Sequence, residues 1–379
     1  MKLVIAMDSF KGCLSSIEAN VAVAEGFLQA DPGIRIAHIP IADGGEGTVE
    51  ALVHANEGKL IEARVTGPLG EPVMSTYGII GGGKIAVIEV AEACGFPLLT
   101  KEQRNPLMTT TYGVGELILD ALNRGCHEFI IGLGGSATND AGMGMLQALG
   151  FKFLDQKGQE LGFGGGKLKF LAKMDSSNVS SAVIDSVFSL ACDVNNPLYG
   201  PLGAAYIYGP QKGATEAVVN ELDEGLRHFA KVAFQDLSLD LQEIPGAGAA
   251  GGLGAAFAGF LQGKLESGAG LVLGKTALEE RIREADLVIT GEGKLDGQTS
   301  MGKAPAGVAL IAAKYKVPVV ALAGDVSEGT SNLHESGISA YFTIVGGPVD
   351  LESAMQPDAA RENLRKAAEQ IGRLLKIKF

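Results

Sequence analysis

The sequence predicts an α/β fold in two domains: a discontinuous, Rossmann or flavodoxin-like parallel-sheet domain, and an inserted α/β domain with a mixed sheet. Three observations carry that expectation. The amino-terminal stretch repeats a strand, polar loop and helix unit twice. The carboxy-terminal third returns to the same texture. Between them the pattern shifts to short apolar segments punctuated by glycine. The expected boundaries place residues 1–60 and 265–379 in the parallel-sheet domain and 61–264 in the insert, with the functional site in the cleft between them.

Each element has a local reason. Leu3–Met7 is a short continuous apolar run of the buried-strand type, followed by the loop Asp8-Ser-Phe-Lys-Gly12 and a helical pattern over 15–29. Arg35–Pro40 reads as the second strand, 42–47 as its loop and Thr48–Ala55 as its helix. From 61 to 90, the segments Glu62–Val65, Met74–Ile80 and Ile85–Val90 are broken by Gly67-Pro68, Gly70 and Gly81–Gly83, which predicts an antiparallel meander. A helix is expected over Gly113–Asn123 and a strand over Val187–Cys192, ending at Asp193. The uncharged window Ile244–Gly263 is rich in Gly and Ala and reads as a tightly packed buried helix. Ala285–Thr290, Val317–Ala323 and Ala340–Val345 supply further strands, with helices over Gly302–Tyr315 and Pro357–Lys376.

Composition removes several function classes. The chain of 379 residues is 46% hydrophobic and 20% charged, a globular balance, and its formal net charge of −13 argues against a nucleic-acid surface. The four cysteines are scattered with no CxxC pair, so neither a zinc site nor a redox motif is spelled out. The apolar run before Asp8 is too short for a signal peptide, and no segment makes a convincing membrane span, so cytoplasmic residence is expected. The five histidines stand outside the glycine loops, and there is no G-x-S-x-G elbow, which leaves hydrolase chemistry without support.

The densest motif is Ile130–Gly150. Ile130 and Ile131 end a strand, Gly132, Gly134 and Gly135 permit a tight turn, and Ser136 or Thr138 is placed to cap a following helix whose amides would face an anion. A dinucleotide site competes, because Gly132-x-Gly134-x-x-Ala137 fits the Rossmann pattern with Asp155 downstream. The template is weak in a chain with 54 glycines, and Gly246-Ala-Gly248-Ala-Ala-Gly251 fits it equally. Gly297 to Lys303 matches the start of a Walker A loop, but Ala304 stands where magnesium binding requires Ser or Thr, so an ordinary P-loop is excluded.

Ligands of open α/β sheets bind beyond the carboxyl ends of the strands. Five loops there carry polar clusters: Asp8-Ser9-Phe-Lys11, Asp43 to Thr48, Ser136 to Asp140, Asp193 to Pro197, and Gly291 to Thr299. Taken singly, each carboxylate reads as a cap or turn; together they offer the ingredients of phosphoryl transfer. Lys11, Lys212, Lys294 and Lys303 are cations for phosphate, and Asp8, Asp43, Asp193, Glu292 and Asp296 are metal or base groups, none assignable by spacing alone.

These blocks, with Val65-Thr-Gly-Pro-Leu-Gly70, Arg104-Asn-Pro-Leu107, Thr109-Thr-Thr-Tyr-Gly113, Gly209-Pro-Gln-Lys-Gly-Ala214, Pro245 to Gly254 and Leu287 to Gly293 followed by Asp296 and Gln298-Thr299, resemble the bacterial glycerate kinase family unrelated to P-loop kinases. The resemblance covers nearly the whole chain; Met7, where many relatives carry Pro, and Lys294, where Arg is common, depart from it. It implies two α/β domains and ATP- and Mg²⁺-dependent phosphorylation of D-glycerate, with the 2-hydroxyl as acceptor, in glycerate, glyoxylate and acid-sugar catabolism. The expected partners are these small molecules, with a homodimer left open.

The roles built on it are expectations. Asp193, with Asp8 and Lys11, forms the catalytic group, Asp193 being the base. Lys11, Ser9 and, more weakly, Arg64 or Lys212 hold the glycerate carboxylate. Gly134, Gly135, Ser136, Thr138 and Asn139, assisted by Lys303, cradle the ATP phosphates. Asp43 with Glu292 or Asp296 holds magnesium, and domain closure excludes water. Phosphorylation of the 3-hydroxyl, a nicotinamide-dependent dehydrogenase and a noncatalytic metabolite-binding protein are the alternatives.

Overall fold

A computed structural model describes residues 1–297, 299, 303–327 and 330–377, and the chain divides into two compact units, Met1–Glu57 with Ser267–Phe379, and Gly58–Glu266. The division follows strand pairing. Lys59–Thr66 is zipped in register to Pro72–Ile80, and Lys264–Glu266 pairs with Ser189–Ala191, so both ends of the insert are tied into its own sheet.

The first unit is built on a five-stranded, wholly parallel sheet in the order Ala340–Thr343, Val319–Val326, Leu287–Leu295, Lys2–Met7, Arg35–His38. Alternate side chains of its first strand feed two cores. Leu3, Ile5 and Met7 meet the helices Ser16–Ala30 and Pro357–Leu374 on one face; Val4 and Ala6 meet Gly268–Gly274, Leu278–Arg283 and Ala304–Lys314 on the other. Burial on both faces is why the run is uninterruptedly apolar. The helix Ser16–Ala30 opens on a capping box, in which the Ser15 hydroxyl accepts from Glu18 N and the Glu18 carboxylate accepts from Ser15 N. It packs so closely on the terminal helix that a Cβ at Gly26 would enter the Arg365 carbonyl.

Two expectations change here. The central strand does not stop at Thr290: Gly291–Leu295, read as loop, stays in the sheet because Gly291, Glu292, Lys294 and Leu295 pair with Leu322, Ala323, Asp325 and Val326. The polar stretch therefore presents its side chains from a strand. The helix that follows Lys303 begins at Ala304; its expected first residue Gly302, and Gln298, Ser300 and Met301 of the Walker-like stretch, lie outside the described residues.

The second unit carries a six-stranded sheet ordered Lys264–Glu266, Val187–Ala191, Glu128–Gly132, Ile85–Glu89, Pro72–Ile80, Lys59–Thr66. Its first four strands are parallel and the last three form the antiparallel meander. A long helix, Glu216–Leu237, buries Val219, Leu222, Leu226, Phe229, Ala230 and Ala233 against this core. The window Ile244–Gly263 is not one helix. It contains a 3₁₀ turn at Ala249–Gly251, a helical turn at Leu253–Ala255 and a π turn at Ala256–Phe260. Gly246, Ala250, Gly251 and Gly252 have φ of 82°, 52°, 71° and 102°, which no α-helix accommodates. Among the described residues no helix is long and apolar enough to cross a membrane.

Candidate functional site

The polar loops form two patches, one in each unit. In the first unit, Asp8 stands where the first strand ends: its amide continues the sheet by donating to Gly291 O at 2.8 Å, and its carboxylate accepts from Ser9 N at 2.6 Å. Asp43, in the loop after the second strand, accepts from Gly45 N at 3.0 Å and pairs with Lys11 Nζ at 2.8 Å. Glu292 projects from the central strand and accepts the Thr299 hydroxyl at 2.8 Å, while Lys303 Nζ lies 3.7 Å from Glu292 and 3.6 Å from Asp296. Asp296 and Thr299 exchange bonds that close the turn between them.

The electrostatics of this patch are uneven. Burial, then the charge of Asp43, pushes the Asp8 carboxyl from 3.8 to about 8. Burial also raises Asp43, but the Lys11 ammonium outweighs it and holds Asp43 below the usual carboxylate range. Glu292 is raised by burial in spite of Thr299 and Lys303, and Lys11 is raised because Asp43, Asp8 and Glu292 overcome its own burial. Ser9 Oγ and Thr48 Oγ1 are buried without a hydrogen-bond partner. Among the described residues no three Asp, Glu, His or Cys side chains are arranged to hold one metal ion. The expected metal set Asp43, Glu292 and Asp296 is instead interleaved with Lys11 and Lys303.

The second patch is the 134–140 loop. Ser136 and Thr138 do not cap a helix, contrary to expectation, because the helix begins only at Met143, is six residues long, and has Gly142 as its N-cap. Asp140 takes the capping part. Fully buried, it accepts from Gly142 N (3.1 Å), Gly144 N (3.3 Å), and both Thr111 N and Oγ1 (2.9 Å each). Burial raises its pKa against the pull of those bonds.

The loop's carbonyls point inward. Gly135 O accepts from Phe96 N, Ala137 O from the Thr109 hydroxyl, and Thr138 O from Lys212 Nζ. Among the described residues the backbone N–H groups of Gly134, Gly135, Ser136, Thr138 and Asn139 donate to no protein acceptor, and both side-chain amide atoms of Asn139 are buried without a partner; Gly134 and Gly135 are exposed, whereas Ser136, Thr138 and Asn139 are buried. Gly135, at φ 75°, makes the left-handed turn in this loop.

Glycines clamp the loop from both sides. A Cβ at Gly251 would enter the Thr138 carbonyl and stand 2.8 Å from Asn139 Cα; one at Gly165 would enter the Asn139 carbonyl; one at Gly252 would stand 3.2 Å from Ala141 N. In the glycine pattern Gly246–Gly251, Gly251 packs on this loop, while Gly246 and Gly248 pack on the Val194 and Pro197 carbonyls. Asp155 caps its own turn, accepting from Lys157 N at 2.8 Å and Gln159 N at 2.9 Å, which accounts for it without a ribose.

The remaining expected residues are more dispersed. Asp193 is exposed just beyond the strand Val187–Ala191, in a loop fixed by Asn196, which binds Leu202 O at 2.8 Å and the Tyr208 hydroxyl at 2.6 Å. Arg64 is exposed on the edge strand opposite Met74, with no hydrogen bond or ion pair among the described residues. Lys212, expected near a substrate carboxylate, points into the protein toward the 134–140 loop. Sequence reasoning assigned no role to Thr109, Thr111, Cys94 or Arg104. Thr109 and Thr111 brace the loop. Burial pushes the Cys94 thiol to about 12, leaving it unreactive, and the Arg104 guanidinium lies 4.8 Å from the Phe96 ring centroid. The run of three threonines ahead of a helix was the available signal.

Residues 3–376 match the model of the glycerate kinase family. The chain is 50% identical to a glycerate kinase of Halalkalibacterium halodurans over 354 residues, covering 93% of each protein. It is 48% identical to a glycerate 2-kinase of Escherichia coli over 377 residues, covering 100% of this chain and 98% of the relative. A solved structure from Salmonella typhimurium, put forward as a glycerate kinase 2, superposes with a TM-score of 0.89 at 43% identity, covering 99% of this chain and 98% of that one.

Proposed function

This chain belongs to the glycerate kinase family, and we propose that it transfers the γ-phosphoryl group of ATP to the 2-hydroxyl of D-glycerate, yielding 2-phosphoglycerate and ADP. The observation that carries the ATP reading is the 134–140 loop, in which the carbonyls of Gly135, Ala137 and Thr138 are taken by protein donors while the amides of Gly134, Gly135, Ser136, Thr138 and Asn139 and the Asn139 side chain have no protein partner among the described residues. Such a cradle suits the oxygens of a polyphosphate. The choice of the 2-hydroxyl rests on the similarity to the Escherichia coli glycerate 2-kinase.

In this reading the 2-hydroxyl oxygen attacks Pγ as the bond from Pγ to the bridging oxygen of ADP breaks, and the hydroxyl proton passes to a carboxylate. Lys11, with Ser9 beside it, binds the glycerate carboxylate; Lys303 assists at the phosphates. Asp193 is the assigned base. Asp8 is a second candidate, favoured by one observation: its carboxyl is shifted to about 8, where a group both accepts and returns a proton near neutrality. Turnover of Asp193→Asn and Asp8→Asn discriminates the two, since only loss of the base removes the rate without removing glycerate binding.

Magnesium, when bound, supplies charge to the phosphoryl oxygens. Asp43, Glu292 and Asp296 would hold it by donor type, as hard oxygen ligands, and the mutual repulsion of Asp8, Asp43 and Glu292 is the sort a cation relieves, although among the described residues the three are paired with Lys11 and Lys303 and not gathered round one point. The test is incubation with D-glycerate, ATP and Mg²⁺, with the product read by phosphorus NMR. 2-Phosphoglycerate is expected; 3-phosphoglycerate overturns the regiochemistry, and neither product overturns the kinase reading.

A further inference from the structure

Lys212 is 2% exposed, among the most completely buried large side chains of the protein. Its direction is built into the backbone. It ends a 3₁₀ turn, Pro210–Lys212, and the chain leaves through Gly213 at φ 90°, where a Cβ would press on the Arg104 carbonyl and stand 3.1 Å from Arg104 Cβ. Pinned this way, the ammonium donates to Ser136 Oγ at 3.1 Å and Thr138 O at 2.6 Å. It forms no ion pair among the described residues. The charged and titratable groups facing it are Asp140, also fully buried, and the Cys94 thiol, which stays neutral.

Bracing two oxygens needs only a neutral donor, and a glutamine amide would do it at far lower desolvation cost than an ammonium. The surplus is positive charge, placed against Ser136 Oγ and Thr138 O of the proposed nucleotide loop. We propose that Lys212 is a positioning residue for the nucleotide: it holds Ser136 and Thr138 in the shape that receives ATP phosphates and gives the loop a fixed positive charge, without touching glycerate. This rests on the reading of the 134–140 loop as the phosphate cradle.

Lys212→Gln tests it by separating donation from charge. The variant is expected to raise the KM for ATP at least tenfold, and the Kd for a non-hydrolysable ATP analogue by calorimetry in parallel, with the KM for glycerate changed less than twofold. Burial lowers the Lys212 ammonium to about 8, so the wild-type KM for ATP should climb as pH passes 8, and Lys212→Gln should lose that climb. Asp8 titrates in the same range but in the other unit, so Asp8→Asn should retain the matching climb in the Kd for the analogue, read by calorimetry. A raised KM for glycerate with that for ATP unchanged, or a lower melting temperature with both KM values unchanged, overturns the proposal. If Lys212→Gln does not fold, Ser136→Ala removes one acceptor and leaves the charge; a two- to fivefold rise in the KM for ATP alone is expected, and no rise overturns the proposal. Wild-type protein that binds the analogue but forms no phosphoglycerate defeats the proposed reaction while leaving the loop assignment intact.

Discussion

Replacing Asp8 by asparagine should make the protein more stable and less active, and the gain in stability should grow with pH. The native carboxyl keeps its proton up to about pH 8, whereas in the unfolded chain it loses it near the ordinary value of 3.8. Between those values the native state binds the extra proton, so wild-type stability falls as pH rises across the window and levels off above it. Asparagine does not titrate, and its Oδ1 still accepts from Ser9 N, the bond that aspartate makes at 2.6 Å. At about 1.4 kcal/mol per pH unit, the advantage of the variant should widen by at most about 3 kcal/mol from pH 6 to pH 8. Lys11 loses one of its anionic neighbours and the surroundings relax, so roughly half of that, about 1.5 kcal/mol, is the working figure, equivalent to about 3–6 °C for a unit of this size. Melting temperatures of both proteins at pH 6, 7, 8 and 9 give the answer. A difference that stays flat or shrinks over pH 6–8 would refute the placement of Asp8 as a buried carboxyl strained by Asp43. Loss of turnover alongside the gain marks it as a functional group kept at a cost in stability.

Three further substitutions probe the two patches. Gly251→Ala places a Cβ against the Thr138 carbonyl at a residue with φ 71°. Left-handed strain and overpacking together should cost about 2–5 kcal/mol, with a raised KM for ATP; melting within a degree of wild type would contradict the contact. Thr111→Val keeps the shape but removes the hydroxyl that donates to Asp140 and accepts from Met145 N, both at 2.9 Å. A loss of about 2–4 kcal/mol in urea unfolding is expected, because a buried amide and a buried carboxylate each lose a partner. Lys11→Met should raise the KM for glycerate by roughly 10- to 100-fold and leave that for ATP near its wild-type value; the reverse pattern would assign Lys11 to the nucleotide.

The fold was legible where one physical rule dominates. Leu3–Met7 is continuously apolar because both its faces are covered, and the Gly-Pro and triple-glycine breaks between 61 and 90 mark hairpin corners, so strand type and direction followed from local chemistry. The helix Glu216–Leu237 shows a plain helical spacing of Val219, Leu222, Leu226, Phe229 and Ala233, yet went unassigned because its charged exposed face obscures it. The failures have one cause. In Ile244–Gly263 the Gly and Ala content argues for a packed helix, whereas Gly251 and Gly252, both left-handed, lie against the 138–141 segment and Gly246, also left-handed, lies against the Val194 carbonyl. Gly291–Leu295 looks like a loop because its side chains are polar, and only the partner strand Val319–Val326 reveals it as sheet.

The same limit governs the site. Asp8, Asp43 and Glu292 could be listed from their positions after or within strands, but their division of labour depends on which lysine each one meets. Lys11 depresses Asp43 and, from farther away, leaves Asp8 raised; sequence spacing carries no trace of that difference. Lys212 is the sharper case. Its sequence position offers a cation for phosphate or for the glycerate carboxylate, and the local sign of the turn that buries it is Gly213, left-handed at φ 90° and packed on Arg104. Burial of an ammonium beside Ser136, Thr138 and Asp140 makes Lys212 a support of the 134–140 loop, which on the proposed reading receives the ATP phosphates. On the proposed reading the groups that meet phosphate in this unit are backbone amides of a loop held in shape by Thr109, Thr111, Asp140 and Lys212, and side-chain type alone carries no sign of such groups.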